Sequence, residues 1–259
     1  MSRAETLGHL LCARLRWAPV EMNRAAILID GGYFLGRLSS VRPDIDASDP
    51  RAVAGAINDL ILSHLNQIND TYHVPNALQL LYRCFYYDAL PYEGKATTPV
   101  RKLPVDHARS KAAIFRTRLF AELRRRPNLA VRLGNVRLGG KPSWILKARP
   151  QERLIDGSMQ GADMDDRHFA PAFRQKGVDM RIGIDIASIT LKRQANILVL
   201  VAGDSDFVPA LKLARREGAQ VILDPLWQRT PPDLSEHIDG LRSGFRRPGP
   251  MARPEAAAG

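Results

Sequence analysis

The chain has 259 residues, of which 45% are hydrophobic and 25% charged, a composition that supports one substantial globular core. It contains no apolar run of the ~20 residues that a membrane-spanning helix requires. Its two cysteines provide no disulfide framework, and none of its six histidines lies at a zinc-ligand spacing from another histidine or cysteine. Thirty-eight Lys and Arg against 27 Asp and Glu leave a net charge of +11, which attracts polyanions. These features predict a cytoplasmic protein with no membrane partner.

Residues 1–21 are predicted to be a dispensable N-terminal extension, because Met22 directly precedes the first core strand. The apolar patch at 7–15 is interrupted by Arg14 and Arg16, and no small-residue cleavage site follows, so we do not expect a secretory signal. The main domain is predicted to cover residues 22–245.

The first predicted elements alternate between strands and a helix. A short apolar strand at 25–29 leads into Asp30, and Asp49-Pro50 opens a helix that continues to about residue 68. A second strand at 77–87 is followed by Asp88, which faces a site at the strand end or caps the next turn.

The middle of the chain is predicted to hold a loop at 91–104, a helix at 106–126, strands at 129–138 and 143–147 around the turn Gly139-Gly140, and an irregular insertion at 149–173. On the helix, Lys111, Arg118 and Arg125 recur every seven residues and fall within ~40° of one another. They form either a rail for a phosphate backbone or an ordinary solvated face.

The last third begins with a predicted helix at 175–193 that carries Asp179 and Asp185, six residues and hence ~120° apart. The most apolar strand, 197–201, follows, and then Asp204 and Asp206. A helix at 207–217, a strand at 221–223, a short helix within 234–245 and a disordered tail at 246–259 complete the chain. The alternation of strands and helices predicts a three-layer α/β domain with a mainly parallel sheet.

Ligand sites in such sheets lie beyond the carboxyl ends of the strands, where this chain places acids. Two acids around Ser205 are more than helix capping requires, although either one could be a cap. Clustered carboxylates repel each other unless a cation neutralises them, and hard oxygen ligands suit Mg²⁺ or Mn²⁺. The candidate metal ligands are Asp30, Asp179, Asp185, Asp204 and Asp206.

Five stretches, in order, resemble the NYN domain family, in particular its LabA-like branch within the PIN-like nuclease superfamily. They are ILIDGGYFL (27–35), FYYDALPYEG (85–94), VRLGNVRLGG (131–140), KGVDMRIGIDI (176–186) and VLVAGDSDFVPALKLARREGAQVIL (199–223). The resemblance implies a PIN-like Rossmannoid fold, a divalent-metal site and RNA cleavage. It implies Asp30, Asp179, Asp204 and Asp206 as catalytic residues, with Asp185 matching a further acid.

Several members of that superfamily carry Asn three residues after the first acid, where this chain has Tyr33, which either stacks on a base or packs. Lys176 and Arg181, on either side of Asp179, are candidate phosphate contacts or ordinary surface charges. The leading hypothesis is a metal-dependent ribonuclease acting on single-stranded RNA, with a homodimer left open. The alternatives are a non-catalytic RNA- or protein-binding regulatory module of the same fold and, less favoured, a phosphatase or phosphotransfer domain.

Overall fold

The computed structural model describes residues 23–138 and 143–247 of the chain. Most of its strands join one sheet, and helices connect them. The strands are β1 (Ala25–Asp30), β2 (Leu81–Leu90), β3 (Lys95–Thr97), β4 (Pro104–Asp106), β5 (Leu129–Leu138), β6 (Trp144–Leu146), β7 (Phe169–Pro171), β8 (Phe173–Lys176), β9 (Ile197–Val201), β10 (Gln220–Asp224) and β11 (Gly240–Leu241). The α-helices are α1 (Gly31–Val41), α2 (Pro50–Tyr72), α3 (Lys111–Arg124), α4 (Ala148–Ile155), α5 (Val178–Leu191), α6 (Val208–Arg216) and α7 (Pro232–Ser235).

The main sheet has seven strands in the order β11-β10-β9-β1-β2-β5-β8. All neighbouring pairs are parallel except the last, because β8 runs antiparallel to β5. Two antiparallel pairs, β3–β4 and β6–β7, lie outside this sheet. The predicted α/β class with a mainly parallel sheet is confirmed.

The core consists of two clusters of buried side chains, one on each face of the sheet. Alternate residues of β1 belong to different clusters because successive side chains of a strand point to opposite faces. Ile27 and Ile29 pack in a cluster with residues of α1, α2 and α3. Leu28 packs in a second cluster with residues of α5 and α6. Because both faces are covered, β1 and β9 carry apolar side chains without polar alternation, as expected of buried parallel strands.

Several predicted elements are corrected by the structure. Residues Ala77–Leu80 form a 3₁₀ turn, and β2 begins after it and continues past Asp88, which therefore lies inside the strand. The predicted loop at 91–104 contains β3 and the start of β4, and the predicted irregular insertion contains α4 and β7. These elements are short, and they depend on cross-strand pairing with distant residues, which no local pattern reveals.

Two helix predictions also change. The helix at 175–193 begins at Val178 because Gly177 adopts a left-handed conformation with φ of 79°. The predicted helix within 234–245 is wrong: beyond the short α7 the chain turns into β11, which pairs with β10. Gly240 and Gly244 disfavour a helix there.

Some predictions fall on residues outside the described ranges. They concern the extension at 1–21, the turn Gly139-Gly140 and most of the tail at 246–259. Strand 143–147 is present as β6, but its partner is β7 rather than β5. Within residues 23–138 and 143–247, no helix has both the length and the apolar character needed to cross a membrane.

Candidate active site

The carboxyl ends of β1 and β9 place acids at one edge of the sheet. Ile29 and Val201 are register partners, so Asp30, the last residue of β1, and Ala202, the first residue after β9, lie at the same end of adjacent strands. Asp204 follows after Gly203 and caps the 3₁₀ turn Ser205–Phe207, which contains Asp206. The structure thus brings the two ends together as the strand-end argument predicted.

Asp30 is half-buried and caps α1 by accepting a hydrogen bond from the backbone N–H of Tyr33 at 3.0 Å. The helix begins immediately after it because Gly31 has no side chain. A Cβ at Gly31 would lie 2.4 Å from Cζ of Tyr86 and 2.6 Å from the carbonyl oxygen of Tyr87. Gly31 therefore lets α1 approach β2 and keeps the Asp30 carboxylate at the strand end.

Asp179 reaches the same edge from the first turn of α5. Two glycines allow this approach: Gly177 supplies the left-handed residue before the helix, and Gly134 of β5 leaves room for it. A Cβ at Gly134 would lie 2.8 Å from the carbonyl oxygen of Lys176. Arg181 steadies the turn by donating from Nη1 to the carbonyl oxygen of Gly177 at 2.8 Å.

Asp204 is exposed and caps its own 3₁₀ turn, because its Oδ1 accepts from the backbone N–H of Asp206 at 3.1 Å. Of the two acids that could be a cap, Asp204 is one, although it caps the 3₁₀ turn before α6 and not α6 itself. Asp206 is also exposed, and its side chain has no hydrogen bond or ion pair to any described residue. A cap uses part of a carboxylate's capacity for hydrogen bonds and leaves further acceptor sites on it.

The four carboxylates interact electrostatically. Burial raises the pKa of Asp30, and the charge of Asp179 raises it further. Burial likewise raises the pKa of Asp179, with the charges of Asp204 and Asp206 adding to the effect. A carboxylate whose pKa is raised by its neighbours is one that a cation would stabilise. Asp30, Asp179, Asp204 and Asp206 thus form one coupled acidic group.

The donors in this group are carboxylate oxygens, which fit a hard divalent ion such as Mg²⁺ or Mn²⁺. Among the described residues, however, no three His, Cys, Asp or Glu side chains are arranged closely enough to form a ready-made metal cluster. Because three of the four acids are exposed, the group opens to solvent on one side.

Asp185 has other partners. The hydroxyl of Tyr87 donates to its Oδ2 at 2.8 Å, and Nε of Arg132 lies 3.3 Å from the same oxygen. Since Asp179 lies within the helix, Asp185 projects ~120° away from it. Its predicted role as a metal ligand stays a prediction, and its observed role is to join α5 to β2 and β5.

Sequence reasoning missed the pair formed by Asp88 and Arg116. Asp88 is buried, and Nε of Arg116 lies 3.2 Å from its Oδ2 while the backbone N–H of Ala89 donates to its Oδ1 at 2.7 Å. The charge of Asp88 also contributes to the raised pKa of Asp30, after burial and the charge of Asp179. Asp88 is thus an ion-paired residue of the strand rather than the cap of a following turn. Arg116 is one of many basic residues on α3, and no spacing distinguishes it from the others.

Tyr33 packs between two loops of the site. Its hydroxyl donates to the carbonyl oxygen of Pro225 at 2.6 Å, and its ring lies against Gly203, where an added Cβ would be 2.6 Å from Cε2. Burial raises the pKa of Tyr33 to about 12, so the hydroxyl is a donor at neutral pH. Of the two predicted roles, these contacts favour packing.

The predicted basic contacts lie in three places. Lys176 and Arg181 are exposed beside Asp179. Lys111 and Arg118 line an open groove of about 440 Å³ whose other residues include Phe115 and Pro50. Arg125 lies beyond the end of α3, where its Nη1 is 3.6 Å from Oε1 of Glu122.

Fold and site together define an α/β protein with an acidic, oxygen-only site at the carboxyl edge of a mainly parallel sheet. The family model described as NYN domain matches residues 141–239 of this chain. The matched part includes Asp179, Asp204 and Asp206 and supports the NYN family, whereas β1 and Asp30 precede it. A search of the curated proteins finds no match.

Proposed function

We propose that this chain is a divalent-metal-dependent ribonuclease of the PIN-like kind, in a three-layer Rossmannoid fold of the LabA-like branch. The observation that carries the proposal is the arrangement of acids at one edge of the sheet: Asp30 and the pair Asp204 and Asp206 come at the ends of adjacent strands, and Asp179 lies in the first turn of α5. In agreement with this arrangement, the charge of Asp179 raises the pKa of Asp30, and the charges of Asp204 and Asp206 raise the pKa of Asp179. The net charge of +11 adds support, because a basic surface attracts a polyanion such as RNA. The acidic group attracts cations instead, so the protein can bring both to the same site.

The protein's own residues have distinct roles in this proposal. Asp30, Asp179, Asp204 and Asp206 would hold Mg²⁺ or Mn²⁺, and a bound ion would supply activation of water and neutralisation of charge at the scissile phosphate. Lys176 and Arg181 lie exposed beside Asp179 and would hold phosphates of the RNA backbone. The groove at Lys111 and Arg118 offers a second, more distant phosphate contact.

The test is incubation of purified protein with end-labelled single-stranded RNA, with Mn²⁺, with Mg²⁺ and with a chelator. We expect cleavage only with the ions, and we expect Asp204→Asn to slow it by on the order of 10²-fold or more. Calorimetric titration with Mn²⁺ should show weaker binding to the same variant. Asp70→Asn is the matched control, because Asp70 is an exposed acid on α2 with no ion pair to a described residue.

The outcome decides between the proposal and its alternatives. RNA binding that is indifferent to both the chelator and Asp204→Asn, without cleavage, would favour a non-catalytic regulatory module. Release of phosphate from a small ester without RNA cleavage would favour a phosphatase. Equal loss of activity in Asp70→Asn would show that the effect of Asp204→Asn is not specific to the site.

A further inference from the structure

A cavity of about 570 Å³ lies beyond the main sheet, and the acidic site does not use it. It is bordered by the β3–β4 hairpin on one side and the β6–β7 pair on the other, with the end of β5 between them. Its lining includes Lys95, Thr97, Lys102, Leu138, Trp144 and Phe169.

The aromatic part of this cavity is held in place by contacts behind it. Nε1 of Trp144 donates to the carbonyl oxygen of Thr97 at 2.9 Å, which ties β6 to β3. The buried ring of His107 lies 6.2 Å from the Trp144 ring and 5.1 Å from the ring of Phe173, measured between centroids. Trp144 and Phe169 are only half-buried. The Trp144 ring is therefore held in position before any ligand arrives, and Phe169 lies beside it in the lining.

The charge of the cavity is positive. Lys95 and Lys102 are exposed, and among the described residues that line the cavity there is no Asp or Glu. The nearby Asp166 is already engaged, since it accepts from the backbone N–H of Val100 at 2.9 Å and from Nε of Arg101 at 3.0 Å. Lys102 donates one hydrogen bond to the carbonyl oxygen of Pro99 at 2.7 Å and retains two further donors on its ammonium.

The strand β8 connects the border of the cavity to the acidic site along the chain. Leu138, which lines the cavity, is the register partner of Phe173, which contacts the ring of His107. From Phe173 the strand β8 leads to Lys176, and Asp179 follows in the first turn of α5. The chain therefore leads from the border of the cavity to the acidic group within one short strand and the first turn of α5.

We propose that this cavity binds one nucleotide of a single-stranded RNA, with its base against Trp144 and Phe169 and adjoining phosphates on Lys95 and Lys102. The proposal rests on the ribonuclease function above and adds to it a base-binding subsite that lies outside the acidic group. Stacking on a protein side chain requires a base that is free of its own helix, and such stacking tolerates any base. Lysines beside fixed aromatic rings match that chemistry better than they match an acidic peptide, which has no bases to stack.

The experiment measures binding in a chelator, so that the result does not depend on catalysis. Fluorescence anisotropy with the full chain and a labelled single-stranded RNA of about 12 nucleotides gives Kd at several salt concentrations. We expect the double variant Lys95→Gln, Lys102→Gln to raise Kd at least tenfold and to lower the salt slope by about 1.4, the value for two lost phosphate contacts. The control Lys192→Gln, Lys212→Gln removes the same charge from exposed positions after α5 and on α6.

Two substitutions of Trp144 separate stacking from structure. Trp144→Leu should weaken single-stranded RNA binding by about 5- to 150-fold and abolish the quenching of tryptophan fluorescence by RNA. Trp144→Phe, which keeps a ring and loses the N–H donor, should retain most of the affinity. Trp227→Phe should leave the quenching in place, because Trp227 lies elsewhere and donates to the carbonyl oxygen of Phe245.

Several results would overturn the proposal. Equal weakening by the lysine pair and by its control would indicate non-specific charge attraction. Polyphosphate or polyaspartate that binds as tightly as RNA would indicate an anion site without base recognition, and equal binding of a duplex would remove the preference for unpaired RNA. If binding depends on these residues but no cleavage occurs with Mn²⁺, the subsite stands and the ribonuclease proposal fails. If cleavage occurs and binding ignores these residues, the subsite alone fails.

Discussion

At the scale of single residues, the acidic group holds carboxylates close enough for their charges to repel one another. Burial and neighbouring charge raise the pKa of Asp30 and Asp179. The N-terminal end of α5 favours a negative charge at Asp179 by about 0.3–1 kcal/mol in exposed settings. The pKa of Asp179 is raised nevertheless, by burial and then by the charges of Asp204 and Asp206.

This balance gives a prediction for pH dependence. The folded-state pKa of Asp179 exceeds its unfolded value, so ionisation disfavours folding; the penalty is absent below the unfolded pKa, which is about 3.9, and complete above the folded-state pKa. Asp179→Asn should therefore gain in Tm relative to the parent chain as pH rises from about 4 to 7. Thermal unfolding across this range measures the gain.

Two additions sharpen the measurement. Mg²⁺ should raise the Tm of the parent chain more than that of Asp179→Asn, because an ion that binds only the folded state stabilises it. Asp70→Asn should show no comparable trend with pH. A gap between parent and Asp179→Asn that closes as pH rises would contradict the coupling of the four carboxylates.

The site residues that the sequence allowed us to predict share one property: each follows a strongly apolar strand or begins a helix that leads to one. Asp30, Asp204 and Asp206 were recognisable for this reason. Arg116, Arg132 and Tyr87 were not, because their importance comes from partners on other elements, such as Asp88 and Asp185. Pairing across a sheet or between a strand and a helix leaves no regular spacing in the sequence.

At the scale of elements, Tyr33 joins the first turn of α1 to the loops after β9 and β10. Its ring occupies the space beside Gly203, and its hydroxyl bonds to the Pro225 carbonyl oxygen. One side chain therefore connects three segments: the start of α1 next to Asp30, the loop after β9 that carries Asp204, and the loop after β10. The absence of a side chain at Gly203 is what makes room for it.

Substitution at Gly203 tests this arrangement. Gly203→Ala should lower the free energy of unfolding by about 1–3 kcal/mol, since the new methyl group collides with the Tyr33 ring. In the double variant with Tyr33→Ala the combined loss should be smaller than the sum of the single losses. Urea unfolding of the two single variants and of the double variant measures the three losses of unfolding free energy.

Gly36→Ala is the matched control. A Cβ at Gly36 would meet nothing within 4 Å, and the residue lies inside α1. The free energy of unfolding of Gly36→Ala should be higher than that of the parent chain by about 0.5–1 kcal/mol, as expected for Gly→Ala in a helix. Additive losses in the Gly203 and Tyr33 double variant would show that the two residues act independently.

Strands that coincide with a clear apolar segment could be predicted with their bounds nearly correct. The strand at 129–138 matches β5 residue for residue, and the strand at 197–201 matches β9. The predicted irregular insertion could not be resolved into elements from its sequence. There α4 has no buried residue, and β7 is a three-residue strand whose pairing partner, β6, lies outside the insertion. Pairing energy between distant residues decides such segments, and local propensity does not.

At the scale of the whole molecule, the chain after α7 closes the fold over α2. Asp224 at the end of β10 is fully buried, where its Oδ2 lies 2.9 Å from Nε2 of the equally buried His64 and accepts from the backbone N–H of Gly244 at 2.9 Å. Phe245 is buried against Phe34, with ring centroids 6.4 Å apart. Residues 240–247, called the closing segment below, lie beyond the residues that the NYN family model matches.

Truncation tests its contribution. A chain that ends at residue 239 should lose about 3 kcal/mol or more of unfolding free energy, because Phe245 leaves a cavity and the buried Asp224 loses a donor. A chain that ends at residue 247 should unfold at the same urea concentration as the full chain. Equal midpoints for both truncations would show that the closing segment only rests on the surface.

The antiparallel placement of β8 has a practical consequence. Because Leu138 and Phe173 are register partners, the excursion between them departs from and returns to a single point of the sheet. It behaves as an exchangeable cassette: a short hairpin turn could replace residues 139–172 without altering the path from β8 into α5. Such a swap would remove Trp144 and Phe169 from the cavity while leaving the strand that leads to Asp179 in place.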